Sequence, residues 1–139
     1  MKKYKIGIVV SDTYADITKA MLEVACEHAK FLEVEVVRIL HVPGSFDAPL
    51  AVKRLLDQKE IHGVVTLGAI IEGDTDHDNI VAQNAARKIM DLGLEFNKPV
   101  SLGISGPKMN RMDAMRRIDR MAKAAVESCV KMIKLDFRF

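Results

Sequence analysis

The stretch Gly63-Val64-Val65-Thr66-Leu67-Gly68-Ala69-Ile70-Ile71-Glu72-Gly73-Asp74-Thr75-Asp76-His77-Asp78 contains the junction that decides the fold. Its first seven residues form a short apolar run that is typical of a buried strand. A glycine turn follows the run, and the helical spacing of Ile80, Val81, Ala85 and Ile89 begins just after the histidine. A strand, a turn and a helix start therefore lie close together, as they do in a parallel α/β sheet.

The same unit recurs along the chain. Three further apolar runs predict strands at Ile6–Val10, Val34–Leu40 and Pro99–Ile104. Apolar residues at three- and four-residue steps predict helices between the strands. These helices span about 17–32, with Asp12 or Thr13 as the cap, then 49–56 with Pro49 in the first turn, about 76–92, and one long helix after the Gly106-Pro107 turn.

Strict alternation of strands and helices predicts the fold class. The order βαβαβαβα implies right-handed crossovers and helices on both faces of the sheet. We therefore expect a flavodoxin-like three-layer α/β/α sandwich with a four-stranded parallel sheet. A length of 139 residues predicts a single domain over 1–139.

Composition limits the partners. Lys plus Arg number 21 and Asp plus Glu 19, a formal net charge of +2 that does not suggest nucleic acid or membrane binding. The two cysteines, Cys26 and Cys129, lack metal-ligand spacing, which favours reduced thiols in a cytoplasmic protein and no metal site.

The turns after the predicted strands carry the unusual residues. Ligands of parallel sheets bind at the carboxyl ends of the strands. The turns at 11–14, 42–47, 72–77 and 105–110 should therefore meet at one edge. There, a helix N-terminus suits a phosphate and His77 suits proton transfer near neutral pH, so we expect a phosphoester site with an acid/base residue.

Three other residues are candidates on their own chemistry. Arg117 precedes the apolar pattern of the last helix and can clamp a phosphate, although charged residues on a helix usually form a solvated face. Phe46 lies in a rigid turn and can stack on a flat heterocycle or fill the core. Asp47 can accept hydrogen bonds from a polyol or cap the next helix.

Three blocks in order resemble one enzyme family along nearly the whole chain. They are Val42-Pro43-Gly44-Ser45-Phe46-Asp47-Ala48-Pro49, residues 68–77 quoted above, and Pro99-Val100-Ser101-Leu102-Gly103-Ile104-Ser105. Together they resemble 6,7-dimethyl-8-ribityllumazine synthase, a transferase of riboflavin biosynthesis, and Ile104-Ser105-Gly106-Pro107 is similar to its archaeal branch.

The resemblance implies a reaction and a set of roles. The reaction condenses 5-amino-6-ribitylaminouracil with 3,4-dihydroxy-2-butanone 4-phosphate, without metal or cofactor. His77 would transfer protons, and Arg117 would take part in catalysis and in phosphate binding. The other phosphate-binding residues would be Asp74, Thr75 and Lys123. The residues that bind the pyrimidine and the ribityl chain would be Tyr14, Ser45, Phe46, Asp47, Ala69, Ile70, Ile71, Leu102 and Ser105. Family members form pentamers, often assembled into icosahedral shells of sixty subunits, with sites shared between neighbours.

One departure keeps alternatives open. Where the family has an aromatic residue followed by asparagine, this chain has Thr13-Tyr14, so Tyr14 would have to supply the ring that stacks on the pyrimidine. Loss of that ring would fit a catalytically degenerate or engineered shell-forming paralogue. An archaeal-type riboflavin synthase and a flavodoxin-like flavin carrier or phospho-acceptor regulator are the other candidates.

Overall fold

The computed structural model describes residues 3–73 and 76–135. Strands and helices alternate along this part of the chain. The strands are β1 (Lys5–Ser11), β2 (Glu35–Val42), β3 (Gly63–Ala69) and β4 (Val100–Ser105). The helices are α1 (Ala15–Phe31), α2 (Ala48–Leu56), α3 (His77–Phe96), α4 (Arg111–Arg116) and α5 (Ile118–Lys134), and a 3-10 turn at Ser45–Asp47 precedes α2.

The four strands form one parallel sheet in the order β2-β1-β3-β4. At the centre of the sheet, Ile8 lies opposite Ile39 of β2 on one side and Val65 of β3 on the other. Because every strand runs the same way, all four carboxyl ends lie at one edge. The predicted four-stranded parallel sheet and flavodoxin-like class are confirmed.

Helices cover both faces of the sheet. Ile6, Ile8 and Val10 of β1 point toward α1 and α5 and belong to one apolar cluster. Val9 points the other way, into the cluster that includes Leu55 of α2. Because both faces of the strands are buried, their sequences do not alternate between apolar and polar residues. Each such buried apolar side chain stabilises the fold by about 1.5–3 kcal/mol.

The start of α1 differs from the prediction. Tyr14, and neither Asp12 nor Thr13, precedes the first turn, and its side chain makes no capping hydrogen bond. Asp12 Oδ1 lies 3.0 Å from His41 Nδ1, and Thr13 Oγ1 donates to the carbonyl of Pro43 at 2.7 Å. Both predicted caps are wrong because these polar groups join the β1 turn to the end of β2.

The helices at the C-terminal end also differ in their bounds. Helix α3 continues to Phe96, and the next residue, Asn97, adopts the left-handed conformation that asparagine tolerates. The expected single last helix is two helices separated at Arg117, whose N–H is shared between the carbonyls of Asp113 and Ala114. The apolar spacing continues across this break, so periodicity alone does not reveal it.

Among the residues described, no helix combines the length and the apolar character needed to cross a bilayer.

Candidate active site

A cleft of about 460 Å³ opens at the carboxyl ends of β1, β2 and β3, and we call it the strand-end cleft. Three of the four turns predicted to meet at this edge contribute to it. Its lining consists of Thr13, Tyr14, Gly44, Ser45, Phe46, Ala69, Ile70, Ile71, Glu72, Gly73, His77, Asp78 and Val81.

The fourth turn, after β4, supports the cleft from outside. The carbonyl of Ser105 accepts from Ile70 N–H at 2.8 Å, and the carbonyl of Met109 accepts from Glu72 N–H at 2.9 Å. The backbone N–H of Lys108 donates to Asp78 Oδ2 at 3.3 Å. This turn therefore holds the segment between β3 and α3 without lining the cleft.

His77 is the first residue of α3, and its exposed side chain lines the strand-end cleft. Backbone N–H groups at a helix start have no partner within the helix, and the dipole makes that end positive. An imidazole and an anion-favouring helix end thus lie together. This juxtaposition is the one that the sequence predicts.

Ser45 lines the same cleft and carries a buried hydroxyl. The residue is 6% exposed, and its Oγ has no hydrogen-bond partner among the described residues. A Cβ at Gly68 would lie 2.7 Å from this oxygen, so the glycine leaves room for it. Since an unsatisfied buried hydroxyl costs about 1–3 kcal/mol, a polar ligand in the cleft would recover that energy.

Two aromatic residues line the cleft from neighbouring turns. Tyr14 follows β1 and is 36% exposed, and Phe46 follows β2 and is 67% exposed. Such exposure is high for aromatic side chains, and flat ligands stack on exposed rings. Ala69, Ile70 and Ile71 form an apolar wall beside them.

Asp47 is near the cleft but does not line it. Its Oδ2 accepts from the backbone N–H of Gly44 at 3.1 Å, which closes the 3-10 turn. It does not cap α2 with its side chain, although it precedes that helix.

Arg117 and Lys123 also lie outside the lining of the strand-end cleft. Arg117 is exposed at the junction between α4 and α5. Lys123 is exposed six residues later, with its Nζ 3.2 Å from Asp119 Oδ2. Within one chain, neither cation borders the cleft.

Leu102 and Ser105 of β4 likewise do not line it. Leu102 is 49% exposed and lines a second cleft, which lies beside β4. Ser105 is buried, with its hydroxyl 3.5 Å from the carbonyl of Gly68. Asp74 and Thr75, the predicted phosphate-binding pair, lie outside the described residues.

Six lining residues were not among the predicted site residues. They are Thr13, Gly44, Glu72, Gly73, Asp78 and Val81. Val81 follows His77 by four residues, so helical spacing could have identified it. Glu72 and Asp78 are acidic, and no Lys or Arg lines the cleft within the described chain, so one chain alone supplies no cationic side chain to bind a phosphate.

Metal ligands are not clustered in the described residues, since no group of three or more histidine, cysteine or acidic residues there could hold an ion. The described lining of the cleft offers an imidazole, hydroxyl groups, two aromatic rings, two carboxylates and a helix start.

Similarity to known proteins identifies the family. Residues 3–136 match the family model of 6,7-dimethyl-8-ribityllumazine synthase. The chain belongs to the 6,7-dimethyl-8-ribityllumazine synthase family. Family membership does not favour the paralogue, riboflavin synthase or flavin-carrier alternatives.

Archaeal relatives with that name match almost end to end. The protein of Picrophilus torridus is 62% identical over 131 residues, which cover 94% of this chain and 96% of the relative. That of Methanothermobacter thermautotrophicus is 59% identical over 134 residues, covering 96% of both. That of Archaeoglobus fulgidus is 54% identical over 134 residues, covering 96% of this chain and 93% of the relative.

Proposed function

We propose that this chain is a transferase that makes 6,7-dimethyl-8-ribityllumazine from 5-amino-6-ribitylaminouracil and 3,4-dihydroxy-2-butanone 4-phosphate. The observation that carries the proposal is the strand-end cleft, where His77, the buried Ser45 hydroxyl and two exposed rings lie together. One substrate is a flat, polar heterocycle and the other is an anion with acidic protons. The cleft has groups suited to both.

The heterocycle and its ribityl chain would occupy the part of the cleft nearest β1 and β2. Tyr14 and Phe46 offer ring faces, and Ser45 offers a desolvated hydroxyl to a pyrimidine oxygen or nitrogen. Asp47, at the rim, has a second carboxylate oxygen for a ribityl hydroxyl. Ala69, Ile70 and Ile71 would exclude water from the opposite side.

The phosphate would bind at the start of α3. The backbone N–H of Asp74 and the hydroxyl of Thr75 are the proposed donors, by the family resemblance. Because Glu72 and Asp78 lower the anion affinity of the described cleft, a cation must compensate. We assign that role to Arg117, with help from Lys123, and a guanidinium suits it because it binds phosphate oxygens bidentately.

The reaction needs a proton carrier more than a strong electrophile. The amine of the pyrimidine attacks the ketone and water leaves. Removal of a carbon-bound proton then expels phosphate, and the second nitrogen closes the ring with further loss of water. One imidazole can take and return these protons if both substrates are held in register, so His77 and the binding groups together account for the steps.

We also propose that the active protein is a homo-oligomer with sites at subunit boundaries, a pentamer or a shell of pentamers. A second cleft of about 1140 Å³, which we call the lateral cleft, lies beside the edge strand β4. Its lining includes Met90, Leu94, Leu102, Met132 and Leu135, all about half exposed or more in one chain. Apolar surface of this extent favours contact with another subunit. A neighbour could then bring Leu102 or Arg117 to the strand-end cleft.

We also propose a cytoplasmic location, because the cysteines are unpaired. Cys26 and Cys129 are free thiols on α1 and α5. Unpaired thiols are typical of reducing compartments.

The experiment combines turnover with native mass. Purified protein is incubated with both substrates, and lumazine formation is followed by absorbance and fluorescence while native mass spectrometry reports the assembly. We expect product only when both substrates are present, from a species heavier than one chain. An intact oligomer that forms no lumazine would overturn the proposed activity, and riboflavin formation from lumazine alone would replace it with the synthase of the next step.

A further inference from the structure

Arg111 contacts two residues near the start of α1, Tyr14 and Asp16. It is the first residue of α4, and its guanidinium carbon lies 5.7 Å from the ring centroid of Tyr14. Its Nη2 also donates to Asp16 Oδ2 in the first turn of α1. Tyr14 lines the strand-end cleft, but Arg111 and Asp16 do not. The guanidinium therefore contacts the ring from outside the cleft.

The backbone of Tyr14 has an unusual conformation. Its φ of 58° and ψ of 56° are left-handed, a conformation that an aromatic residue rarely adopts. Its carbonyl accepts from the N–H groups of Ile17 and Thr18, but its side chain gives α1 no cap. Asparagine would suit both the conformation and the helix start better. A residue that contradicts local preference is expected where a side chain serves a site.

We propose that Arg111, fixed by Asp16, is a positioning residue that holds the Tyr14 ring as the stacking wall for the pyrimidine substrate. The inference rests on the proposed function and extends it to a residue that does not touch substrate. A guanidinium over one face of a tyrosine is attracted by the ring quadrupole and restricts its rotation. The ring is then pre-oriented before the substrate arrives, which lowers the entropic cost of binding.

Steady-state kinetics distinguish positioning from a general structural role. Arg111→Met should raise KM for 5-amino-6-ribitylaminouracil about three- to tenfold, the range expected for loss of a partly exposed cation–π contact. Neither kcat nor KM for the butanone phosphate should change. Arg116→Met is the matched control, because Arg116 is exposed on the same helix and contacts Met112 rather than Tyr14. Arg111→Lys should recover part of the loss.

A double-mutant cycle tests whether the effect passes through the ring. Tyr14→Asn keeps a residue that tolerates the left-handed backbone and removes the ring, whereas Tyr14→Phe keeps the ring. In the Tyr14→Asn background, Arg111→Met should cause no further rise in KM. A role confined to the Asp16 ion pair would leave the effect of Arg111→Met intact in that background.

Tyrosine emission gives a reading that does not depend on turnover. The chain has no tryptophan and two tyrosines, and Tyr4 borders the lateral cleft instead. Tyr4→Phe therefore leaves Tyr14 as the sole tyrosine emitter. Titration with the lumazine product should quench this emission, and Arg111→Met should shift the midpoint to about three- to tenfold higher concentration.

The possible outcomes separate the two proposals. A parent protein that neither forms nor binds lumazine would overturn the proposed function and this inference with it. A parent that does both, with Arg111→Met indistinguishable from Arg116→Met, would overturn only the role of Arg111. Persistence of the Arg111→Met effect in the Tyr14→Asn background would also overturn it.

Discussion

The strand-end cleft and the lateral cleft differ in size and in chemistry. The lateral cleft has a volume of about 1140 Å³, more than twice the 460 Å³ of the strand-end cleft. Its lining includes five methionine and leucine side chains that are each about half exposed or more. The smaller cleft contains His77, the buried hydroxyl of Ser45 and a helix start. We therefore base the proposed site on convergent polar groups and not on cavity volume.

The two clefts also have different origins in the fold. The strand-end cleft forms where parallel strands end and their turns separate, which any sheet of this class provides. The lateral cleft lies beside β4, an edge strand whose outer side has no partner strand among the described residues. An edge strand with exposed apolar neighbours is a natural place for another subunit. One region is thus suited to chemistry and the other to assembly.

The largest expected effect is at His77. His77→Ala should lower kcat about 10²- to 10⁴-fold, because a positioned acid/base contributes that much. His62→Asn is the control, since His62 borders the lateral cleft and the amide oxygen can still accept the Lys5 N–H that His62 Nδ1 accepts at 2.9 Å. Kinetics of lumazine formation measure both variants. Equal losses of kcat in the two variants would contradict the assignment of catalysis to the strand-end cleft.

A charge in the lateral cleft should break the assembly. Leu94→Glu would bury an unpaired carboxylate at the proposed subunit contact, weakening association about 100-fold or more. Phe31→Glu is the matched control, because Phe31 and Leu94 are each 77% exposed but Phe31 does not line this cleft. Native mass across a dilution series should change only for Leu94→Glu, with activity falling in parallel. A monomeric parent would contradict the assignment.

Paired glycine substitutions sharpen the description of the strand-end cleft. A Cβ at Gly68 would lie 2.7 Å from Ser45 Oγ, whereas one at Gly73 would meet nothing within 4 Å. Gly68→Ala should therefore lower the free energy of unfolding by about 1–3 kcal/mol, as overpacking does, and raise KM for the pyrimidine substrate. Gly73→Ala should resemble the parent in its free energy of unfolding. Urea unfolding and kinetics measure the pair, and similar behaviour would mean that Ser45 is not confined as described.

The smallest effect concerns Cys129, at the floor of the lateral cleft. Burial raises the pKa of this thiol from its ordinary value of 9.0 to about 12. Between these two values the unfolded chain releases a proton that the folded chain keeps, so stability falls as pH rises. The parent should lose about 1.4 kcal/mol per pH unit more than Cys129→Ala above about pH 9. Urea unfolding at several pH values measures this slope, and equal slopes would indicate a thiol open to solvent.

Prediction from sequence worked where local chemistry determines structure. The apolar run at β3 and the turn before α3 have recognisable sequence patterns. The sheet, its neighbouring helices and the position of His77 could therefore be predicted. Ser45 and Phe46 could be predicted as turn residues because a proline and a glycine flank their turn. The break at Arg117 could not be predicted, since no proline or glycine marks it.

Other features depend on contacts between distant parts of the chain. Asp12 and Thr13 have cap chemistry but bind His41 and the carbonyl of Pro43. Arg111 meets Asp16 across a separation of 95 residues, and nothing in either segment indicates the contact. Arg117 and Lys123 remain predictions as site residues, because a site completed by a neighbouring subunit is not determined by one chain.

In our proposal the strand-end cleft, and not the larger lateral cleft, binds both substrates and the lumazine product. The structure of the assembled protein with bound 6,7-dimethyl-8-ribityllumazine tests it most directly. The claim predicts the ring system in the strand-end cleft, against Tyr14 or Phe46 and within hydrogen-bond distance of Ser45 Oγ, with His77 beside it. Lumazine bound next to Leu94 in the lateral cleft, or bound away from His77, would contradict it.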